Sequence, residues 1–399
     1  FEWLKSDVLS YLKIRGNIAK VGNATSAYRT AIYYSSPGTP INGVTQYYLP
    51  TTFPNANLKP EKILTRELGI EAAFWKNRIR LDLALYSKTT SDQIMSVEIP
   101  ASTGYRYDLI NAGKVTNKGV EISLSADIFN NPNGFSWTST LNWAKDKSKV
   151  VELAEGLDTY TIGQDWSVYS YAKVGESWGT LVGSGMVRDN KGNVVVYDDG
   201  TPMYDEGMVL GHVTPDWTAG WSNEFSYKDL SFGFLLDYRK GGDFFSGSQM
   251  FNTYTGILDY TAAGDIRERG VVLGKDIATE YTFVKEDGTP NDIAINAYDW
   301  YAGYYGIKEL SVSDGSYLKL REAHLTYQLP KKFLAKLGWI QDAKISLVGN
   351  NLAILWLSSR NQAKIDPEST QGAGNSSVGF ESNSVPPTRS FGLKLNLTF

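Results

Sequence analysis

The chain has 399 residues, 42% of them hydrophobic, and a net charge of −4. It contains no apolar run of about 18 residues, which excludes membrane-spanning helices, and its near-neutral charge gives no case for nucleic acid. The absence of cysteine excludes disulfides and thiolate metal sites.

Phe1-Glu2-Trp3-Leu4 is neither a basic nor an apolar leader segment. Combined with the strand pattern below, this favours a piece of a longer exported precursor. Period-2 alternation then dominates the chain and predicts about ten strands. In order they are 11–22, 63–75, 78–90, 114–129, 135–145, 214–227, 230–239, 316–329, 343–352 and 387–399. Ile79, Leu81, Leu83 and Leu85 alternate with Arg80, Asp82 and Ala84; Val120, Ile122, Leu124 and Ala126 alternate with Glu121, Ser123, Ser125 and Asp127. Phe232, Phe234, Leu236 and Tyr238 form another apolar row. The clearest run is the last, where Phe391, Leu393, Leu395, Leu397 and Phe399 share one face. In 316–329 the alternation breaks, because Leu318 and Leu320 share parity with His324; a β-bulge is one way to restore it.

The connections are of two kinds. Tight turns fall at Asn77, at Asn130-Asn131-Pro132-Asn133-Gly134 and at Lys228-Asp229. A slightly longer link over 330–342 has a helical pattern (Phe333, Leu334, Leu337). Long connections cover 23–60, 92–113, 146–213, 240–315 and 353–386. Short and long alternate strictly, as in a transmembrane barrel with short periplasmic turns and long extracellular loops. A soluble β-sandwich also alternates apolar and polar faces, but has no reason to keep that asymmetry. Charges near mid-strand (Glu71, Asp82, Glu121, Asp127, Glu224, Asp237, Lys394) should face the lumen, since one on the lipid face costs roughly 2–4 kcal/mol. Trp3, Trp75, Trp137, Trp143 and Trp217 near strand ends suit interfacial girdles.

Little in the sequence points to catalysis. His212 and His324 are the only histidines, and neither has an identifiable partner for acid–base or metal chemistry. Asp198-Asp199-Gly200 with Asp205-Glu206 lacks calcium-loop spacing and reads as a solvated tip. No phosphate-binding glycine motif occurs, and no cofactor or metal is expected. The aromatic share, 13% with 25 tyrosines, is concentrated in two long connections. Tyr160, Trp166, Tyr169 and Tyr171 lie in one; Tyr298, Trp300, Tyr301, Tyr304 and Tyr305 lie in the other. Such rings stack on sugars or apolar peptide side chains, which makes Trp166, Tyr169, Tyr171, Tyr298, Trp300, Tyr301, Tyr304 and Tyr305 the candidate substrate contacts. The competing reading is that they pack the loops together.

Several stretches resemble the SusC/RagA-like family of TonB-dependent outer-membrane transporters. They are Asn57-Leu58-Lys59-Pro60-Glu61 with Glu67-Leu68-Gly69, Asn111-Ala112-Gly113-Lys114-Val115-Thr116-Asn117-Lys118-Gly119-Val120-Glu121, and Leu210-Gly211-His212-Val213-Thr214-Pro215-Asp216-Trp217. Arg239-Lys240-Gly241-Gly242-Asp243, Tyr317-Leu318-Lys319-Leu320-Arg321 and Gly349-Asn350-Asn351-Leu352 continue the series in family order. The resemblance implies an all-β fold, with residues 1–399 forming the C-terminal part of a plugged barrel of about 22 strands. It also implies localisation in the cell outer membrane, in contact with its lipid. The implied function is import of oligosaccharides or peptides under a SusD-like lipoprotein lid, powered by the TonB complex through a plug this chain lacks, and not an enzymatic activity. An outer-membrane barrel hydrolase and a soluble β-sandwich binding module are the alternative classes. Two unpaired sheet edges are expected to make the isolated piece aggregate.

Overall fold

A computed structural model of the chain describes residues 6–27, 29–131, 133–334, 338–370 and 379–399. Ten long strands form one sheet: β1 (Leu9–Asn23), β2 (Glu61–Phe74), β3 (Ile79–Ser91), β4 (Lys114–Phe129), β5 (Phe135–Glu152), β6 (Pro215–Tyr227), β7 (Leu230–Gly241), β8 (Tyr317–Gln328), β9 (Asp342–Leu357) and β10 (Ser390–Thr398). Each is antiparallel to the next in chain order. Every strand falls where the alternation predicts it. Trp3, Pro132 and Leu337 lie outside the described residues. The tight turns form as expected: Trp75, Lys76 and Asn77 take positive φ of 49°, 57° and 67°, and Lys228 takes 53°.

Two boundaries differ by five residues or more. β5 runs to Glu152 rather than 145, and β9 to Leu357 rather than 352. A spanning strand needs only about 9–11 residues, whereas β4 and β5 have 16 and 18. Their far ends stand beyond the hydrocarbon layer, so Lys145, Lys147 and Lys149 keep the ladder without alternation.

The two faces separate by charge. On one, Arg15 reaches Glu71 at 3.0 Å and Asp82 at 2.9 Å, Arg80 reaches Asp127 at 2.9 Å, and Arg321 reaches Asp237 at 2.6 Å. The other face carries exposed apolar side chains, among them Leu68, Leu85, Leu124, Phe232, Leu347 and Leu393. Aromatic groups mark both ends of this apolar face. Trp137 stacks on Phe225 at 5.6 Å near the tight turns, and Trp217 stacks on Tyr238 at 4.8 Å near the long connections. That is the arrangement of a lipid-facing band between two interfacial girdles.

The bulge in β8 lies at Arg321. Leu236 pairs with Leu320 but Leu235 pairs with Glu322, so Arg321 is skipped, and β9 shifts opposite it with Asn351 at φ 51°. The extra residue moves the apolar row from Leu318 and Leu320 to Ala323 and Leu325, and turns His324 to the charged face. There it meets Glu224 at 3.1 Å.

The face assignment gives a direct expectation. Leu85, paired with Leu68 and Val120, sits mid-strand on the apolar face, so Leu85→Arg should cost about 2–4 kcal/mol of folding into lipid vesicles. Ser123→Arg, beside the cavity on the charged face, should cost little. Equal folding yields for the two variants on a heat-modifiability gel would contradict the assignment.

The long connections are folded, and two large buried clusters lie within them. The largest cluster joins Met186, Val194 and Val196 to Val271, Leu273, Phe283, Ile295 and Trp300, from two different connections. A second joins Val168, Leu181 and Leu210 to Phe245, Met250, Val312 and Phe380, from three. Four strands within residues 159–212 form an antiparallel sheet. Two tight hairpins of matching sequence, Val196–Pro202 and Val284–Pro290, each carry Asp-Gly-Thr-Pro, and the strands leading into them pair in parallel. In each, the Asp carboxylate (Asp199, Asp287) accepts from the Thr backbone and hydroxyl.

Candidate functional site

The loop layer is organised around α1 (Gly247–Tyr254). Ser246 caps it, its hydroxyl accepting from the Gln249 amide at 2.9 Å and donating to the Glu381 carboxylate at 2.5 Å. Gln249, Met250 and Thr253 face inward, which leaves Phe251 and Tyr254 toward the surface. α1 joins the two aromatic clusters that lie far apart in sequence. Trp166 meets Phe251 edge-on at 4.8 Å, and Tyr305 meets Tyr254 edge-on at 5.7 Å.

The candidate contacts divide by burial. Tyr298, Trp166 and Tyr305 are 80%, 54% and 50% exposed. Tyr169 and Tyr171 stack on each other at 5.4 Å and are half-buried. Trp300, Tyr301 and Tyr304, on and just after α3 (Ala297–Gly303), are 3%, 7% and 4% exposed and belong to the large core cluster. Tyr304 donates its hydroxyl to the Leu310 carbonyl at 2.8 Å. Tyr301 has its ring in a wall of the pocket described next and no partner for its hydroxyl among the described residues, and burial pushes its pKa up to about 12.

A pocket of about 450 Å³ opens between α1 and α3, lined by Tyr254, Gly256, Arg267, Tyr298 and Tyr301. Phe251, Tyr254 and Arg267 are absent from the sequence-based candidates. The spacing of Met250, Phe251 and Tyr254 is helical, and that was the available signal. A different exposed feature is the first long connection: from Thr30 to Leu58 it has no charged residue, and Tyr33, Tyr34, Tyr47 and Tyr48 are exposed on it.

A second polar region links the last long connection to the wall. Lys319, 5% exposed in its side chain, reaches Asp366 at 2.5 Å and Glu368 at 2.7 Å. Arg321 bonds Asp237 and Glu368, and the Tyr317 hydroxyl lies 3.2 Å from Glu368. A cavity of about 390 Å³ beside it is lined by Ser248, Lys319, Arg321, Glu381 and Arg389. His212 accepts or donates at Thr180 (3.3 Å), and its backbone amide donates to Asp243. No group of three or more metal-ligating side chains forms at either histidine among the described residues.

Burial alone would raise the Glu368 carboxyl, but hydrogen bonds from Arg321 and Lys319 outweigh it and hold the group at about 2. Arg269, bonded to Asp276, holds that carboxyl at about 2 as well. Both sit below their usual values of 4.5 and 3.8. Their contribution is complete above those values and disappears as pH falls toward 2. Pepsin cleavage of the loop layer is therefore expected to rise steeply between about pH 4 and 2, and a rate flat across that window would contradict these pairings.

The family described as TonB dependent receptor-like, beta-barrel, matches the chain over residues 6–352. The chain is 29% identical, across 97% of its length, to TonB-dependent receptor P26 of Formosa agariphila, of which it covers 40%. It is 26% identical over 55% of its length to TonB-dependent receptor SusC of Bacteroides thetaiotaomicron, covering 24% of that protein. Its fold matches a chain of the RagAB peptide transporter with a TM-score of 0.72 at 20% identity, covering all of this chain and 42% of that one. The chain thus spans about two-fifths of the curated relatives it matches along its full length.

Proposed function

The chain belongs to the family of TonB-dependent receptor-like β-barrels of the outer membrane, and from that premise we propose that it is part of an active importer of oligosaccharides or peptides. The observation that carries this reading is the folded loop layer: it places exposed aromatic rings and a 450 Å³ pocket above a wall with a charged inner face. Rings of this kind offer a face to a sugar or an apolar side chain. The likeness to a peptide transporter's fold is compatible with either cargo. In this reading the ten strands are the later part of a larger barrel. The free edges of β1 and β10 pair with strands outside this chain, a SusD-like lipoprotein covers the loop layer, and TonB supplies the energy through an N-terminal plug. Cells expressing the full-length protein should accumulate labelled oligosaccharide or peptide, and should cease to when TonB is removed. Accumulation that is the same without the full-length protein would refute the proposal.

A further inference from the structure

The pocket between α1 and α3 is lined by a charge, that of Arg267, with no counter-ion among the described residues. Arg267 lies on α2 (Ile266–Arg269) beside Arg269. Arg269 takes the two nearby carboxylates, Asp265 at 2.7 Å and Asp276 at 2.7 Å. Arg267 has no ion pair among the described residues. Its Nε donates to the Thr261 carbonyl at 3.1 Å, and its Nη2 to the Gly256 carbonyl at 2.7 Å and the Thr261 hydroxyl at 3.4 Å. These bonds fix the guanidinium plane from one side and leave Nη1 without a hydrogen-bond partner among the described residues. Tyr254, Tyr298 and Tyr301 line the same pocket.

A fixed, uncompensated guanidinium between tyrosine rings is a poor environment for a neutral ligand and a good one for an anion with a flat or apolar flank. We infer that this pocket binds a carboxylate-bearing part of the cargo, with Arg267 taking the carboxylate and Tyr254 and Tyr298 covering the adjoining face. The inference rests on the import reading and narrows it to acidic cargo. An acidic sugar ring and a peptide carboxylate share this chemistry.

The test uses the full-length protein with its surface partner, titrated calorimetrically with four probes. These are an oligogalacturonate and its methyl ester, and a tetrapeptide as free acid and as amide. In at least one arm the acid form should bind about tenfold or more tightly than its neutral form, and that arm identifies the source. Arg267→Gln should remove the preference for the acid form; Arg267→Lys should retain part of it. In the unmodified protein the preference should shrink as salt rises, a readout that does not depend on any variant folding. Tyr298→Ala should weaken both forms. Equal binding of acid and neutral forms in both arms, binding of neither, or a preference that survives Arg267→Gln would overturn the inference. Retained uptake in cells with no acid preference overturns the anion site alone, whereas loss of TonB dependence overturns the import reading itself.

Discussion

Trp300→Ala is expected to destabilise the loop layer by about 3–5 kcal/mol, while Tyr298→Ala, two residues away, should change stability by no more than about 0.5 kcal/mol. Both positions lie on α3 and both were read from the sequence as ring contacts for a ligand. Trp300 is 3% exposed and meets Tyr304 edge-on at 6.0 Å inside the largest core cluster. Truncating it removes a large buried ring and leaves a cavity in the cluster that joins two connections. Tyr298 is 80% exposed and makes no ring contact among the described residues, so its ring is available to a ligand. Hydrogen exchange on the full-length protein separates the cases. Protection should fall across 186–196 and 271–300 for Trp300→Ala and stay intact for Tyr298→Ala, whose loss should appear in binding. Unchanged protection in Trp300→Ala would mean that this cluster does not hold the layer.

The contrast between these two residues shows where sequence reading stops. Alternation reports which way a side chain points from a sheet whose two faces meet different solvents, so all ten wall strands were readable. Even the parity conflict between Leu320 and His324 located a real bulge, at Arg321. Nothing comparable orders the loop layer. Its cores join residues from separate connections, such as Val194 with Phe283 and Phe245 with Phe380, through strands of two or three residues. Strands that short carry no period, and the contacts that bury Trp300, Tyr301 and Tyr304 are long-range. Composition could say that the connections were aromatic, but not which rings faced inward. The paired Asp-Gly-Thr-Pro hairpins were the local clue to structure there. The helical spacing of Met250, Phe251 and Tyr254 was the clue to α1.

The last connection is tied to the wall at a polar junction, and cutting it should release that connection without unfolding the barrel. Lys319 and Asp366 are both nearly enclosed, with side chains 5% and 9% exposed. Lys319→Met keeps most of the side-chain volume but strands the Asp366 carboxylate, a situation that costs about 3–5 kcal/mol in buried pairs. Glu368 would retain Arg321, so the second anchor weakens less. The least costly response is for residues 358–370 to leave the wall, which lets Asp366 regain water. Trypsin should then cut at Arg360 and Lys364 much faster than in the parent protein, while the barrel keeps its heat-modifiable mobility on a gel. Adding Asp366→Asn should restore most of the protection. A neutral amide has no stranded charge, and its oxygen can still accept from the Glu368 amide, as Asp366 does at 2.9 Å. If the double variant is cut as fast as Lys319→Met alone, the lost packing of the lysine, and not the exposed charge, is what frees the loop.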